Sequence, residues 1–180
     1  MAKIKIVDTT MRDGSHAVSH SFSPEQVEKI AAGLDQSGVE IIEIAHGDGI
    51  AGSSYNYGFL KYKEEDLIRA ARANISNAKL DILLLPGIGT IKDLKEARSW
   101  GVDVVRVATH VTEADIGAQH IQAAKDLGMM ACGFLMMVHM VEPEKVAEQA
   151  ALMESYGADY INLADSAGYL LPEDVQARVK

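Results

Sequence analysis

Hydrophobic residues recur along this chain in short runs that alternate with longer segments of mixed polarity. Most runs are nearly continuous apolar stretches with the length of strands, as expected for parallel strands that are covered on both faces. The predicted strands are residues 4–7, 38–45, 80–85, 102–108, 129–138 and 160–163. The pattern therefore predicts a largely buried sheet.

In the segments between these runs, the apolar residues recur at helical spacing. Ser23 followed by Pro24 is typical of a helix start and predicts a first helix that ends near Gly38. Further helices are predicted at 63–74, 91–100, 112–127 and 143–156, and a last one opens at Pro172. Several end at a glycine directly before a strand, which is the usual helix C-terminus. This alternation predicts an α/β fold with a parallel sheet.

Polar residues follow nearly every predicted strand. They are Arg12 and Asp13, His46 and Asp48, Pro86 and Gly87, Thr109 and His110, His139, and Asp165 and Ser166. A (β/α)8 barrel assembles its active site from the C-terminal ends of many strands, whereas an open sheet uses one switch point. The distribution therefore favours a parallel TIM barrel over an open doubly wound sheet.

The chain is short for a complete barrel. A TIM barrel has eight βα units in at least about 200 residues, whereas these 180 residues show six. We therefore predict a single partial TIM-barrel domain over residues 1–180, an incomplete barrel of about six of eight units. We expect a fragment, a truncated chain, or a part that another chain completes.

Composition and charge limit the partners. Hydrophobic residues make up 48% and charged residues 24%, and the formal net charge is −9. An acidic chain offers neither nucleic acid nor an anionic membrane the basic face that it needs. No apolar run reaches membrane-spanning length, no signal-peptide pattern is present, and the single cysteine, Cys132, is expected in the core. We expect a cytoplasmic protein with a small-molecule substrate.

Residues 8–16, with the sequence DTTMRDGSH, directly follow the first predicted strand and contain the highest concentration of candidate catalytic side chains. Arg12 offers a cation, Asp13 a hard oxygen ligand and His16 a group that titrates near neutrality. These three types within one loop suit metal-assisted carbonyl chemistry. The plainer alternatives are a surface ion pair for Arg12, a loop or capping aspartate for Asp13, and a backbone-bonded histidine for His16.

Four motifs together resemble a known family. TTMRDG at residues 9–14 resembles the first-strand motif of the metal-dependent aldolases and lyases that include hydroxymethylglutaryl-CoA lyase, isopropylmalate synthase and the 4-hydroxy-2-oxovalerate aldolases. The aldolases are most similar in AHGDG with GSSYNYG at 45–49 and 52–58, LLLPGIGT at 83–90 and DSAG at 165–168. The resemblance covers the whole chain and corresponds to roughly the N-terminal half of such an aldolase.

The resemblance implies a class II aldolase that cleaves 4-hydroxy-2-oxopentanoate to pyruvate and acetaldehyde in the catabolism of aromatic compounds. It implies Asp13 as a ligand of a divalent metal, Mn²⁺ with Mg²⁺ or Co²⁺ as alternatives, Arg12 as the donor to an enolate oxyanion, and His16 as the base for the C4 hydroxyl. It also implies a partner, an acylating acetaldehyde dehydrogenase. The family's His-x-His metal ligands and its C-terminal helical domain are absent before Lys180, so we expect impaired activity.

Further residues are weaker candidates. We expect Ser166 to bind the pyruvate carboxylate, with a helix-capping role as the alternative, and Leu84 and Leu85 to line the aldehyde pocket, with plain core packing as the alternative. Asp165 is expected to support the site without binding metal. Of His46, His110 and His139 we expect one to matter, and His20 lies outside the motif.

The glycines between residues 47 and 58 form no phosphate-binding loop, because no Gly-Lys-Ser/Thr follows them. We expect this segment to be an active-site rim or an interface. Two alternatives to the aldolase assignment stay open: another member of the group, either an acyl-CoA lyase or a synthase of the isopropylmalate type, and a non-catalytic half-barrel that needs a partner.

Overall fold

Six strands and six α-helices alternate along residues 5–179, the part of the chain that a computed structural model describes. The strands follow one another in the sheet in the order of the chain. The strands are β1 Val7–Met11, β2 Ile41–Ile44, β3 Lys79–Leu84, β4 Val104–His110, β5 Met130–Met136 and β6 Tyr160–Leu163; the helices are α1 Pro24–Gln36, α2 Glu64–Ala73, α3 Ile91–Ser99, α4 Ala118–Asp126, α5 Pro143–Ser155 and α6 Pro172–Val179. The predicted α/β alternation of six units is confirmed.

The first strand lies later than the sequence pattern predicts. The apolar run at 4–7 suggested a strand that ends before the polar motif, whereas β1 comprises Val7–Met11 and contains Asp8, Thr9 and Thr10. The prediction was wrong because β1 is only partly buried, so hydrophobicity does not mark it, while threonine favours extended backbone. As a result Arg12 follows the last residue of β1 directly.

The helix starts agree better with the sequence. The side chain of Ser23 accepts a hydrogen bond from the backbone N–H of Gln26, and Oε1 of Gln26 accepts one from the backbone N–H of Ser23, which closes a capping box at the start of α1. The fourth helix is shorter than the predicted 112–127. A 3-10 turn at Ala114–Gly117 precedes α4, and Gly117 at the junction is a weak helix former.

Contacts divide the chain into two compact units, Met1–Val105 and Arg106–Lys180. In the first, β1 pairs with β2 and β2 with β3 in parallel, and α1 packs on α2. β2 is buried along its whole length and β3 at all but its first residue, as is usual for parallel strands between layers. This unit holds the predicted motif and the glycine-containing loop that follows β2.

In the second unit β5 pairs with β6 in parallel, from Cys132 opposite Tyr160 to Leu135 opposite Leu163. α4 and α5 pack on β5, and α5 also contacts β6. Cys132 is buried, which confirms its expected place in the core. Throughout residues 5–179, no helix combines the length and the apolar character that crossing a membrane requires.

Asp35 links the end of α1 to the segment that leads into β3. Its carboxylate lies in the last turn of the helix, where the helix dipole disfavours negative charge. It is nevertheless buried, because it accepts backbone hydrogen bonds from Ser76, Asn77 and Ala78 at 3.1, 2.9 and 2.6 Å. The Ala78 N–H contributes most to lowering the pKa of Asp35, and burial opposes it.

We expect Asp35→Ala to lower the free energy of unfolding by about 2–3 kcal/mol at pH 7, because several buried N–H groups lose a charged acceptor. Because the folded pKa lies below the usual value, this stabilisation is present above the unfolded pKa of about 3.9 and is lost as the pH falls through the folded pKa. Urea titrations at pH 7 and pH 3 measure both effects. Asp126→Ala, which removes an exposed carboxylate that accepts from the Gln122 side chain, is the control, and an equal loss in both variants would contradict the assignment.

Candidate active site

Arg12 is anchored by a carboxylate from the neighbouring strand. Its Nε donates to Glu43 Oε2 at 2.6 Å, and Glu43, on β2, is fully buried. Its Nη1 donates to Asp13 Oδ1 at 2.9 Å and to the Gly47 carbonyl at 3.3 Å. Among the described residues Nη2 has no hydrogen-bond partner, and 11% of the side chain is exposed. The guanidinium is therefore fixed along one edge and can still donate from Nη2.

Asp13 opens a 3-10 turn, Asp13–Val18, that directly follows Arg12. Its side chain is 66% exposed, so one carboxylate oxygen accepts from Arg12 while the group remains accessible. It is a hard oxygen donor of the type that Mn²⁺ and Mg²⁺ prefer. However, residues 5–179 contain no group of three or more His, Cys, Asp or Glu side chains placed to hold a metal. The described residues therefore do not form a complete metal site by themselves.

His16 lies in the same turn and belongs to a cluster of three imidazoles. Its ring centroid is 5.1 Å from that of His20, edge to face, and the ring of His20 stacks on that of His46 at 3.9 Å. His20 and His46 are buried, whereas His16 is exposed. Of the three, only His16 is therefore placed to meet a solute.

His46 forms the buried end of this cluster. Its Nδ1 accepts from the Asp48 backbone N–H at 3.0 Å, which leaves the proton of a neutral ring on Nε2. Burial, and then the neighbouring His20, lower the pKa of His46. Its backbone N–H donates to Glu64, a carboxylate that also accepts from Ala51 and whose pKa burial raises. The cluster is thus closed off from solvent at its inner end.

The glycines of the loop after β2 make room for these rings. A Cβ at Gly47 would lie 2.5 Å from Cε1 of His16, one at Gly52 would lie 2.6 Å from Nδ1 of His46, and one at Gly58 would lie 3.2 Å from Cδ2 of His20. Real Cβ atoms essentially never approach within 3.0 Å. Each imidazole therefore packs on a glycine, which accounts for three of the four glycines of this loop without any phosphate site. The fourth, Gly49, has a φ of 90° and lies against the Leu83 carbonyl.

The two candidate leucines differ in environment. Leu84, the last residue of β3, is fully buried, and its Cγ lies 2.9 Å from where a Cβ on Gly89 would be. Leu85 follows the strand, is partly exposed and reaches toward Gly49 in the loop after β2. Leu84 therefore packs within the core, and Leu85 is the better placed of the two to contact a ligand.

The remaining predicted residues lie in the second unit, after β5 and β6. Ser166 is exposed, and its Oγ accepts a hydrogen bond from the Met137 backbone N–H at 3.1 Å. Asp165 accepts from the Leu170 N–H at 2.7 Å and lies 3.3 Å from Nδ1 of His139. The Leu170 hydrogen bond is the main cause that lowers the pKa of Asp165. These contacts order the loops that follow the strands and leave the Ser166 hydroxyl proton free to donate.

The structure thus brings Arg12, Asp13 and His16 into one turn and adds groups that the sequence analysis missed. Glu43 could have been found, since it is the one charged residue within β2, IIEI, and a buried carboxylate needs a partner. His20 was placed outside the motif, but it lies against His16. His110, the last residue of β4, forms a hydrogen bond through Nδ1 with the hydroxyl of Thr112, 2.8 Å away.

Comparison with known proteins identifies a family whose profile matches this chain. The profile of a family described as HMGL-like matches residues 3–180. The chain is 69% identical over 98% of its length to a 4-hydroxy-2-oxovalerate aldolase of Moorella thermoacetica and 60% identical over 99% to one of Carboxydothermus hydrogenoformans. It covers 52% and 53% of those proteins, so the chain spans about half the length of these curated relatives.

A solved structure is similar in fold. The carboxyl transferase domain of pyruvate carboxylase from Rhizobium etli superposes with a TM-score of 0.83 at 18% identity, over 99% of this chain and 33% of that one. Identity this low supports the fold alone. Together with the six βα units in chain order, it confirms the prediction of an incomplete parallel TIM barrel.

We expect Gly47→Ala to displace the His16 ring, because the added methyl group would occupy the space of the imidazole. The measurement is the Cε1–Hε1 cross-peak of His16 in a two-dimensional NMR spectrum, which should move or broaden. Gly14→Ala is the matched control, since its Cβ would meet nothing closer than Thr9 O at 3.9 Å. An unchanged His16 signal in a folded Gly47→Ala variant would contradict the packing described above.

Proposed function

The chain belongs to the HMGL-like family, and from this premise we propose that it is the N-terminal part of a class II aldolase that cleaves 4-hydroxy-2-oxopentanoate to pyruvate and acetaldehyde. The observation that carries the proposal is the position of Arg12, with Nε and Nη1 bound to protein oxygens. Nη2 has no partner in the described part of the chain and is left for a substrate oxygen. The names of the relatives support the same substrate.

The proposed reaction is a retro-aldol cleavage. His16, the exposed imidazole of the cluster, accepts the proton of the C4 hydroxyl. The electrons of that O–H bond form the aldehyde C=O as the C3–C4 bond breaks, and the electrons of the C3–C4 bond pass to C3 and the C2 oxygen as an enolate. Protonation at C3 then gives pyruvate.

The role proposed for Arg12 is better defined than that of His16. Negative charge develops on the C2 oxygen during cleavage, and a donor that is already oriented stabilises it without reorganisation. Glu43 and the Gly47 carbonyl hold the guanidinium in place, so its orientation does not depend on substrate. One such donor contributes about 3–4 kcal/mol to catalysis.

We propose that Asp13 supplies one ligand to a divalent ion, with Mn²⁺ as the first ion to test and Mg²⁺ or Co²⁺ as alternatives. Such an ion, when bound, polarises the keto group of the substrate. The family's His-x-His pair would supply further ligands in a longer chain. Ser166 is proposed as a donor to the substrate carboxylate, and Leu84 and Leu85 as walls of the aldehyde pocket, of which Leu85 is the more exposed.

The resemblance further suggests a place in the catabolism of aromatic compounds and a partner, an acylating acetaldehyde dehydrogenase that uses NAD and coenzyme A. Acetaldehyde is a reactive electrophile, which makes an enzyme that consumes it directly a plausible neighbour. The formal charge of −9 supports a small-molecule substrate over nucleic acid or an anionic membrane. A cytoplasmic location and a single partial barrel domain over residues 1–180 complete the proposal.

We expect the chain with Mn²⁺ to form pyruvate from 4-hydroxy-2-oxopentanoate at a rate far below the roughly 1–1000 per second of ordinary enzymes, because it offers one metal ligand. A more sensitive measurement is mass spectrometry of pyruvate after incubation in D2O, since enolate formation exchanges the C3 protons. Arg12→Lys should slow this exchange at least tenfold, and His16→Asn should slow the formation of pyruvate from 4-hydroxy-2-oxopentanoate at least tenfold, whereas Asp126→Asn, a surface change, should affect neither.

Product analysis separates the alternatives. Turnover of 3-hydroxy-3-methylglutaryl-CoA or another CoA thioester, with no pyruvate from 4-hydroxy-2-oxopentanoate, would identify a different member of the group. Exchange that is unchanged in Arg12→Lys, together with pyruvate formation that is unchanged in His16→Asn, would favour a non-catalytic half-barrel. Turnover of the purified monomer at ordinary rates would contradict the expected impairment.

For the metal, we expect calorimetric titration with Mn²⁺ to show weak binding, on the order of 1 mM, as expected for few protein ligands. Asp13→Asn should abolish it. Asp8→Asn is the matched control, because Asp8 is a neighbouring carboxylate whose oxygens accept from Thr10. Equal binding in wild type and Asp13→Asn would contradict the role proposed for Asp13.

A further inference from the structure

We propose that His20 is a positioning residue whose ring holds the imidazole of His16 in one orientation at the end of β1. The proposal deepens the function proposed above and rests on it, since His16 is the base of that reaction. It assigns a role to a histidine outside the motif that carries the chemistry.

His20 is itself held at every polar atom. Its backbone N–H donates to the Ser15 carbonyl at 2.8 Å, and its carbonyl accepts from the Lys61 N–H at 3.1 Å. In the ring, Nε2 lies 3.1 Å from the Tyr57 carbonyl and Nδ1 lies 3.2 Å from Ser15 Oγ. Because a carbonyl only accepts, Nε2 is the donor, and in the neutral ring Nδ1 accepts from the Ser15 hydroxyl. The ring cannot turn without breaking both hydrogen bonds.

The backbone that presents this ring is strained. Ser19 and His20 have φ angles of 50° and 54°, in the left-handed region that non-glycine residues rarely adopt. The turn is closed onto the preceding segment, because the Ser19 N–H donates to the His16 carbonyl at 3.1 Å. Two successive residues in this conformation bring the His20 ring back over the turn that carries His16.

The far side of the His20 ring is supported by His46. The two rings stack at 3.9 Å with an angle of 26° between their planes, and His46 is fixed by Asp48 and enclosed by protein. His16 meets the His20 ring of this stack edge to face, at 67°, with Gly47 beneath it. An exposed side chain is thereby held against a rigid, buried pair of rings, which favours a single rotamer.

A histidine that only stabilises the turn would have different consequences. Its loss would lower stability and leave the orientation of His16 unchanged in the variants that fold. A positioning residue instead controls the rotamer of His16 and, through it, the rate of proton transfer, while substrate binding changes little.

The test uses His20→Asn, which tolerates left-handed backbone and retains a short polar group near Ser15 but lacks the ring. His20→Phe keeps a ring and loses both hydrogen bonds, and Ser21→Ala changes a neighbouring side chain that bonds the Val18 carbonyl. Circular dichroism establishes that each variant is folded. Three-bond couplings across the Cα–Cβ bond of His16 then report whether the side chain has one rotamer or averages over several.

We expect single-rotamer couplings in the wild type and in Ser21→Ala, averaged couplings in His20→Asn, and at least partial recovery in His20→Phe. In the formation of pyruvate from 4-hydroxy-2-oxopentanoate, kcat should fall about 10- to 100-fold in His20→Asn, with KM changed by less than about twofold. Averaged couplings in the wild type, or one His16 rotamer or an unchanged kcat in His20→Asn, would overturn the proposal. If the wild type forms no pyruvate, the proposed function fails, while the couplings still decide whether His20 positions His16.

Discussion

The ion pair between Arg12 and Glu43 is the interaction on which the arrangement of this site depends. A carboxylate buried in β2 without compensation would cost several kcal/mol, and the Arg12 guanidinium 2.6 Å away offsets part of that cost. The pairing fixes where β1 must end, because Arg12 follows the last residue of that strand. Through the Gly47 carbonyl the same guanidinium also holds the loop after β2.

The site contains two kinds of group: those fixed by contacts with the protein, and those left accessible to a ligand. Arg12 directs Nε and Nη1 to protein oxygens, and within the described residues Nη2 stays unbonded. The three imidazoles follow the same division, since His20 and His46 are buried and His16 is exposed. In both cases the buried part supplies orientation, which leaves the exposed atoms in place before any ligand arrives. Pre-orientation of this type is what makes a donor effective toward developing charge.

Sequence reasoning recovered the features that depend on local signals. The helix start at Ser23 and Pro24 and the apolar strands β2 to β5 follow from residue types within a few positions. The bounds of β1 did not, because a partly buried strand with threonines lacks an apolar pattern. Arg12, Asp13 and His16 were found because they lie together in the sequence. Glu43 and His46 were assigned no partner. Their contacts are with Arg12 and His16, from which α1 separates them in the sequence.

The loop after β2 shows how a local pattern can be recognised and its cause still missed. Its glycines indicated a rim or an interface, and the physical cause is the space that neighbouring rings occupy: Gly47, Gly52 and Gly58 each lie against a different imidazole. Only Gly58 of the three also has a positive φ, 87°, so backbone freedom does not explain the other two. Spacing along the chain cannot distinguish a glycine required by its φ angle from one required by a neighbour, because the neighbour is distant in sequence. The loop and the histidine cluster therefore constrain each other, and a side chain added to the loop at Gly47 would displace the ring of His16.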